Sequence, residues 1–380
     1  MKLLVPAVLA TALSAAPLSA ASISDLYSSF FVFGDSLSDD GKPGSDLPSD
    51  YFTNPLTGGD QYSNGRVFAD VIDDAFGSGL PDGEGVIRSR NYAVGGARAV
   101  GGTEPDFSQQ LGQFVTDIFD LGGDPFEGTP TIGDRPLVSA LFGANDIFGA
   151  MFTLAEDLVA AIEAPLLEQP GLIVDAIDRS FATTRLAAET TAAGVAALAA
   201  SEAFNDFLVY TLPDIGKAPA FNQIPVINEL ATLLTFDFNI TLAEALGAID
   251  PSENVMFIDI FTIFDDYIAN PAQLGLANVT DQCFDNPVCT DPDSYLFWDL
   301  VHPTGAVHAD FADTIISALT GMSGMPVATA MFDTRGDAMS AVLGLSGSSD
   351  LSQVPVPAAL PMLLAAFGAL GLVARRKRAA

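Results

Sequence analysis

Four short runs along the chain are almost wholly apolar, and longer stretches with helical periodicity alternate with them. Runs of this kind are typical of strands that are buried on both faces of a parallel sheet. Their alternation with helices predicts a doubly wound α/β fold, in which ligand sites lie at the carboxyl ends of the strands. The predicted strands cover residues 30–33, 137–142, 207–212 and 255–260.

The helical pattern is strongest in five stretches. The last of them follows Pro303, and proline is favoured in the first turn of a helix. No internal repeat is visible in the sequence. The predicted helices cover residues 67–76, 154–163, an Ala-rich stretch near 177–203, 227–246 and 305–319.

Both ends of the chain differ from the body between them. Residues 1–21 combine a basic second residue, an apolar stretch interrupted by prolines and a small-residue cleavage site, which predicts a secretory signal peptide. Residues 22–324 form the predicted folded body, and residues 325–353 a linker rich in Gly, Ser and Met. Residues 354–380 contain an apolar run long enough to cross a bilayer, followed by four consecutive cations.

Residues 354–380 contain three features in an order that is specific to one kind of sorting signal. A Val-Pro-Val-Pro-Ala start, an apolar helix and an Arg cluster resemble the VPLPA-type variant of the PEP-CTERM sorting signals of Gram-negative bacteria. The resemblance implies that the segment engages the membrane and a sorting protease, and that the protein is exported to the cell surface or released after processing. A plain tail anchor is the alternative interpretation.

The charge balance argues against one class of partner. The chain has 15 Lys and Arg against 48 Asp and Glu. Five of the basic residues lie in the two terminal segments, which contain no acidic residue, so the body is more acidic than the whole. A field of this sign repels nucleic acid and anionic lipid head groups. We therefore expect no nucleic-acid partner.

Cys283 and Cys289 are the only two cysteines. In an exported protein a pair this close is expected to form a disulfide, which would stabilise a loop of this size by about 2.4 kcal/mol on a chain-entropy argument. A metal site is the weaker alternative, because two thiols with no histidine nearby leave zinc under-coordinated.

Histidine is equally scarce, with His302 and His308 as the only two. This scarcity excludes a multi-histidine metal site and restricts any general base of near-neutral pKa to two positions. His302 follows Asp299 by three residues, a spacing that lets the carboxylate bind the Nδ1 proton while Nε2 acts as the base. His308 is flanked by helix and is predicted to lie on the helix surface or to be partly buried.

A base at His302 could activate a serine in the turn after the first predicted strand. The sequence of this turn reads GDSLSDD from Gly34. A serine hydroxyl attacks only when a neighbouring base removes its proton, and the oxyanion that forms needs hydrogen-bond donors. Ser36 is the candidate, and Gly34 is expected to permit the sharp exit from the strand. Residues 91–97, NYAVGGA, and 141–148, LFGANDIF, are candidate sources of the donors, although each alone also fits an ordinary turn or helix cap.

The segments GDSLSD, NYAVGGA, GAND and DLVH, in that order, resemble the GDSL, or SGNH, family of serine hydrolases. Further segments resemble its larger plant and bacterial lipolytic branch, and the resemblance covers residues 30–319. It implies a flavodoxin-like three-layer α/β fold with a central, mainly parallel five-stranded sheet, no metal or organic cofactor, and a small-molecule or lipid ester as substrate. The other common serine-hydrolase pattern, G-x-S-x-G, fails because Ser38 stands where it requires glycine.

The resemblance also implies a role for individual residues. Ser36 is the nucleophile, His302 its base and Asp299 the group that orients the base. The oxyanion donors are the backbone N–H of Ser36, the side-chain amide of Asn145 and the backbone N–H of one glycine of the 95–96 pair, for which spacing favours Gly96.

Other features remain open at this stage. Asp35 is expected to brace its loop, and Asp39 and Asp40 to be local turn or solvent-facing charges. The apolar stretch 147–173 either lines an acyl pocket or packs as ordinary helix, and packing is favoured. An acyltransferase with the same site, and a non-catalytic surface protein on a hydrolase fold, are the alternatives to an esterase.

Overall fold

Five parallel strands form the central sheet, in the order β2-β1-β3-β4-β5. The computed structural model describes residues 22–42, 47–76, 89–120, 132–201, 203–249 and 254–321. The predicted α/β fold with a central five-stranded parallel sheet is confirmed. The strands are β1 (Ser29–Gly34), β2 (Ser89–Asn91), β3 (Pro136–Leu141), β4 (Asp206–Tyr210) and β5 (Asn254–Ile258).

The strand order reverses direction at β1, since β2 lies on one side of it and β3 on the other. At such a switch point the loops after neighbouring strands turn away from each other and leave a crevice at the carboxyl edge of the sheet. The helices in the described residues are α1 (Ile23–Leu26), α2 (Phe68–Ala75), α3 (Phe107–Asp120), α4 (Ala144–Glu163), α5 (Gln169–Ala199), α6 (Pro225–Leu246), α7 (Ile260–Ala269) and α8 (Gly305–Leu319).

Helices cover both faces of the sheet, so every residue of β1, β3 and β4 is buried. Successive side chains of a strand point to opposite faces. Phe30 of β1 accordingly stacks on Phe76, just after α2, while the next residue, Phe31, packs edge-on against Phe114 of α3. Helix α8 packs against α2, and α4, α5 and α6 pack in series. The result is the three-layer arrangement that an apolar strand with two buried faces requires.

A small second sheet lies between α7 and α8. Its strands are β6 (Asn278–Gln282) and β7 (Tyr295–Phe297), and the loop between them contains the Cys283–Cys289 disulfide that the sequence predicts. Tyr51, Phe284 and Trp298 pack against one another beside this disulfide. The disulfide loop and the segment that follows β7 therefore share one aromatic cluster.

The hydrophobic pattern did not predict several of the strands and helices. The edge strand β2 reads Ser-Arg-Asn and is only half-buried, so it has no apolar run to detect. Helices α3 and α7 and the pair β6 and β7 were not predicted. The apolar run of β5 continues without a break into α7, and only Asp259, whose side chain accepts from Thr262 N–H, marks the boundary between them.

Helix α4 begins at Ala144, well before the start that periodicity predicts at position 154. Gly143 makes the turn from β3 into this helix with φ of 119°, a conformation that residues with a Cβ rarely adopt. Helix α5 likewise begins earlier than predicted, at Gln169, and ends at Ala199.

The predicted signal peptide 1–21, linker 325–353 and sorting segment 354–380 lie outside the described residues. The proposed domain boundaries therefore stay predictions. None of the helices in the described part of the chain is long and apolar enough to cross a membrane.

Candidate active site

Ser36 lies in the turn directly after β1, at the switch point of the sheet, and is 7% exposed. The turn is closed by the carbonyl of Asp35, which accepts from the N–H groups of Ser38 and Asp39. Gly34 is needed here for a reason other than the predicted one. Its φ is not positive, but a Cβ at this position would lie 2.8 Å from the carbonyl oxygen of Leu141 on β3. Close approach of two strands, and not a left-handed turn, selects glycine.

A hydrogen-bonded relay connects three of the predicted residues across 266 positions of sequence. Nε2 of His302 lies 2.8 Å from Oγ of Ser36, and Nδ1 of His302 lies 2.7 Å from Oδ2 of Asp299. An ionised carboxylate can only accept, so Nδ1 carries the proton and Nε2 of the neutral ring accepts from the serine hydroxyl. This is the arrangement in which an imidazole can take the serine proton.

Asp299 is held as an anion. Its Oδ1 accepts from the backbone N–H groups of Val301 and His302, and its Oδ2 accepts from the hydroxyl of Tyr51 at 2.8 Å as well as from His302. Burial alone would raise the pKa of Asp299, but the hydrogen bonds and charge of His302 and the two backbone N–H groups outweigh it and lower the pKa to about 2. Asp299 is therefore ionised at neutral and mildly acidic pH.

Tyr51 is a partner that the sequence did not indicate. It lies in the irregular segment between β1 and α2, far from every motif, and burial together with Asp299 raises the pKa of its hydroxyl, which keeps it a donor. The same aromatic cluster also contacts the backbone of His302. The backbone N–H of Trp298 donates to the carbonyl of His302. The backbone N–H of Phe284, beside the disulfide, donates to the carbonyl of Trp298. These bonds link the disulfide loop to the position of His302.

In the glycine pair after β2, the backbone N–H of Gly95 forms a hydrogen bond with another described residue and that of Gly96 does not. Gly95 N–H donates to Oδ2 of Asp39 at 2.7 Å. Among the described residues, neither Gly96 N–H nor Ser36 N–H has an acceptor within hydrogen-bond distance. The geometry therefore supports Gly96 rather than Gly95 as the free donor. Nδ2 of Asn145, in the first turn of α4, donates one hydrogen to the carbonyl of Ala97 and retains a second.

Buried carboxylates fix the loop that carries these donors. Of the two roles expected for Asp39, local turn or solvent-facing charge, the structure shows the first. Asp39 is 2% exposed, and its oxygens accept from the backbone N–H groups of Gly41, two residues on, and of Gly95. Asp146 accepts from Ala99 N–H at 2.8 Å. Both residues lie inside quoted motifs, GDSLSD and GAND, so their positions were visible in the sequence although their partners were not.

Asp35 braces the loop as expected, with its Oδ1 accepting from Leu37 N–H. Burial raises its pKa to about 7, and the backbone N–H of Leu37 and the nearby His302 only partly offset the effect.

An open cleft lies beside Ser36, His302 and Asn145. Its walls are largely apolar and come from several elements, including Phe148 of α4, Ile215, Phe264 and Ile268 of α7, and Val301. Of the stretch 147–173, only Phe148 lines this cleft, and Ile147, Leu154 and Leu158 are core residues. Helix packing, the favoured interpretation, accounts for these core residues but not for Phe152, Leu166 and Leu167, which are exposed.

His308 is fully buried, contrary to the expectation of a surface or partly buried position. Its ring stacks on Phe68, and its Nδ1 accepts from Phe68 N–H at 3.2 Å. It has no contact with Ser36. No group of three or more His, Cys, Asp or Glu in the described part of the chain is placed to hold a metal ion.

The comparison with known proteins decides the family. The model of the GDSL-like Lipase/Acylhydrolase family matches residues 30–315. The chain belongs to this family. Membership makes the protein a carboxylic ester hydrolase and accounts for the order of its four motifs.

The chain is similar to relatives from plants and bacteria. A GDSL esterase/lipase of Arabidopsis thaliana is 25% identical over 338 residues, covering 75% of this chain and 86% of the relative. The esterase EstA of Pseudomonas aeruginosa is 33% identical over 129 residues, which cover 29% of this chain and 20% of that longer protein. Among solved structures, an extracellular lipase of Streptomyces rimosus aligns with a TM-score of 0.40 at 16% identity, over 76% of this chain and 99% of that one.

Proposed function

We propose that this GDSL-family protein is an exported serine hydrolase that cleaves carboxylic esters through an acyl-serine intermediate. The observation that carries the proposal is the relay from Ser36 through His302 to Asp299, open to a mainly apolar cleft. In the first step Ser36 Oγ attacks the ester carbonyl while its proton passes to Nε2 of His302. The resulting imidazolium then protonates the alcohol as the acyl–oxygen bond breaks.

The second step repeats the first with water. His302 takes a proton from water, the hydroxide attacks the acyl-serine, and the carboxylic acid leaves as Ser36 recovers its proton. Asp299 keeps the imidazole in the required tautomer and stabilises its charged form. The backbone N–H groups of Ser36 and Gly96 and the side-chain amide of Asn145 stabilise the oxyanion in both steps, an effect typically of about 3 kcal/mol for one donor.

Export is supported by sequence and by the disulfide. Residues 1–21 have the pattern of a signal peptide, residues 354–380 that of a sorting segment, and the disulfide fits an oxidising compartment. Fractionation of cells that produce the full chain tests this part. Mature protein lacking residues 1–21 outside the cytoplasm is expected, and an uncleaved cytoplasmic protein would contradict it.

The enzymatic part is tested by Ser36→Ala on the purified body with p-nitrophenyl butyrate. Turnover should fall at least about 10⁴-fold with an unchanged melting curve, because no nucleophile remains. Ser38→Ala is the matched control, since it makes the same change two positions further along the same turn. A folded Ser36→Ala protein with undiminished activity would refute the assignment.

The complete relay argues against a non-catalytic surface protein, whose site is expected to have lost one or more of its groups. Acyl transfer to an alcohol would use the same intermediate as hydrolysis. Product analysis with and without an added alcohol separates the two reactions, and free carboxylic acid is the product we expect.

A further inference from the structure

The hydroxyl of Tyr51 and the imidazole of His302 share one acceptor atom. Oδ2 of Asp299 accepts from Tyr51 Oη at 2.8 Å and from Nδ1 of His302 at 2.7 Å. The other oxygen, Oδ1, accepts from the backbone N–H groups of Val301 and His302. Of these four donors, only Tyr51 comes from outside the turn that carries Asp299 and His302.

A carboxylate that orients a ring has to be fixed independently of that ring. Oδ1 of Asp299 is fixed by backbone, but Oδ2, which faces the ring, is bound by the ring and by Tyr51. Without the tyrosine hydroxyl, Oδ2 would have the imidazole as its one remaining partner among the residues that the structure describes. It would then move with His302 and no longer hold it.

The segment that carries Tyr51 is anchored beside the base. The next residue, Phe52, forms backbone hydrogen bonds with both Gln61 and Ser63, which closes a hairpin. The buried hydroxyl of Ser63 donates to the carbonyl of Pro303 at 2.9 Å. This hairpin is therefore attached to the residue that follows the base, and Tyr51 lies at its start.

The ring of Tyr51 is held by the aromatic cluster beside the disulfide. Its centroid lies 5.2 Å from that of Phe284 and 5.8 Å from that of Trp298, both in edge-on contacts. Cys283 and Cys289 belong to the same cluster. A phenylalanine at position 51 would make the same ring contacts. Packing therefore accounts for the ring of Tyr51 but not for its hydroxyl.

The bond between Tyr51 and Asp299 has one direction. Burial, and then the charge of Asp299, raise the pKa of Tyr51, so its hydroxyl keeps its proton. The pKa of Asp299 is about 2, and an ionised carboxylate can only accept. The hydroxyl therefore donates to Oδ2 and competes there with the ring of His302 for the negative charge.

We propose that Tyr51 is a positioning residue for the base. Its hydroxyl holds the Asp299 carboxylate in the orientation that His302 requires, and it weakens the attraction between that carboxylate and the protonated ring. The inference rests on the proposed function, because the base acts in both steps of ester hydrolysis. It adds to that function a residue from outside the four motifs.

The test is Tyr51→Phe, which removes the hydroxyl and keeps the ring in its cluster. With p-nitrophenyl butyrate, kcat should fall about tenfold, because a hydrogen bond to an ionised group is lost. KM should stay within about twofold, since the described residues that line the cleft do not include Tyr51. The acidic limb of the pH profile of kcat/KM should move up by about half a pH unit, because Asp299 then attracts the ring proton more strongly.

The shift of the acidic limb reports on the hydroxyl, because Tyr51→Phe retains every other titratable group around the base. Asp35 and His308 act on the ring of His302 electrostatically, and the ring of Tyr62 lies 5.3 Å from it. The titratable groups across the cleft are Asp214, Lys217 and Asp265.

Tyr267→Phe is the matched control. The hydroxyl of Tyr267 on α7 donates to Oδ2 of Asp310 on α8 at 2.7 Å, so the variant loses the same kind of bond. Neither residue is among the described ones that line the cleft. Its kcat and pH profile should equal those of wild type. An equal loss in the two variants would overturn the proposal.

The variant Tyr51→Phe in the Asp299→Asn background shows whether the tyrosine acts through that carboxylate. The cost of Tyr51→Phe in kcat should shrink from about tenfold to less than about twofold, because two residues that act through one another have non-additive effects. A tenfold cost in both backgrounds would overturn the proposal, and so would a folded Tyr51→Phe protein with the kcat and pH profile of wild type. Failure of the esterase assignment is a separate result, namely turnover that survives Ser36→Ala.

Discussion

The two histidines of this protein lie six positions apart and occupy opposite environments. His302 precedes α8 at the mouth of a cleft, with a carboxylate on one ring nitrogen and a serine hydroxyl on the other. His308 lies in the first turn of α8, buried against Phe68, with no charged side chain bound to it. One histidine has a proton donor and a proton acceptor within reach, and the other is held neutral.

The comparison shows that the environment of a residue, and not its type, decides its chemistry. Burial without a counter-charge lowers the pKa of His308 to about 3, so it cannot accept a proton during turnover. In the proposed mechanism, the anionic Asp299 supports the positive charge that appears on the His302 ring when it accepts the serine proton. Three predictions test this division of roles, in order of decreasing effect.

Substituting His302→Ala removes the base while leaving Ser36 in its turn. We expect kcat for p-nitrophenyl butyrate to fall about 10⁴-fold or more, because the serine hydroxyl has no other group to accept its proton. Steady-state kinetics on folded protein measures this. Activity within tenfold of wild type would show that the ring next to Ser36 is not its base, and the distinction between the two histidines would fail.

Asp299→Asn should lower kcat on the order of 10³-fold with KM nearly unchanged. An asparagine amide can donate to Nδ1, which favours the tautomer that carries its proton on Nε2 and so cannot take one from Ser36. Asp293→Asn, in the exposed turn before β7, is the matched control. An equal loss in both variants, or a rise in KM alone, would contradict an orienting role.

His308→Leu should destabilise the protein by about 1 to 3 kcal/mol at pH 8, because Phe68 N–H is left buried without an acceptor. The deficit should shrink as the pH falls from about 6.5 toward 3. In that range His308 binds a proton in the unfolded wild-type chain but not in the folded protein. Only the wild type therefore loses stability through this site as the pH falls. Urea unfolding at several pH values measures the difference. A deficit that is constant with pH would contradict the neutral, buried state.

The sequence was sufficient to predict the apolar strands and the site residues that lie in the ordered motifs. Apolar runs located β1, β3, β4 and β5, and the GDSL resemblance named the residues that the structure brings together at the sheet edge. Asp299 and His302 were close enough in sequence for their hydrogen bond to be expected from spacing alone.

The missing parts depend on contacts between distant segments. Tyr51 reaches Asp299 across 248 positions and has no motif around it. The choice of Gly96 over Gly95 rests on a hydrogen bond from Gly95 to Asp39, 56 positions away. A one-dimensional pattern contains none of these distances.

The central claim is that Ser36 is the nucleophile and His302 its base, and covalent labelling tests it most directly. Diethyl p-nitrophenyl phosphate should form a bond between Ser36 Oγ and phosphorus with loss of p-nitrophenolate, while the serine proton passes to His302. Peptide mass spectrometry of the wild-type protein should place one diethylphosphoryl group on Ser36. His302→Ala should remain almost unlabelled over the same time. Label on a different residue, or equally fast labelling of the Ser36→Ala protein, would contradict the account.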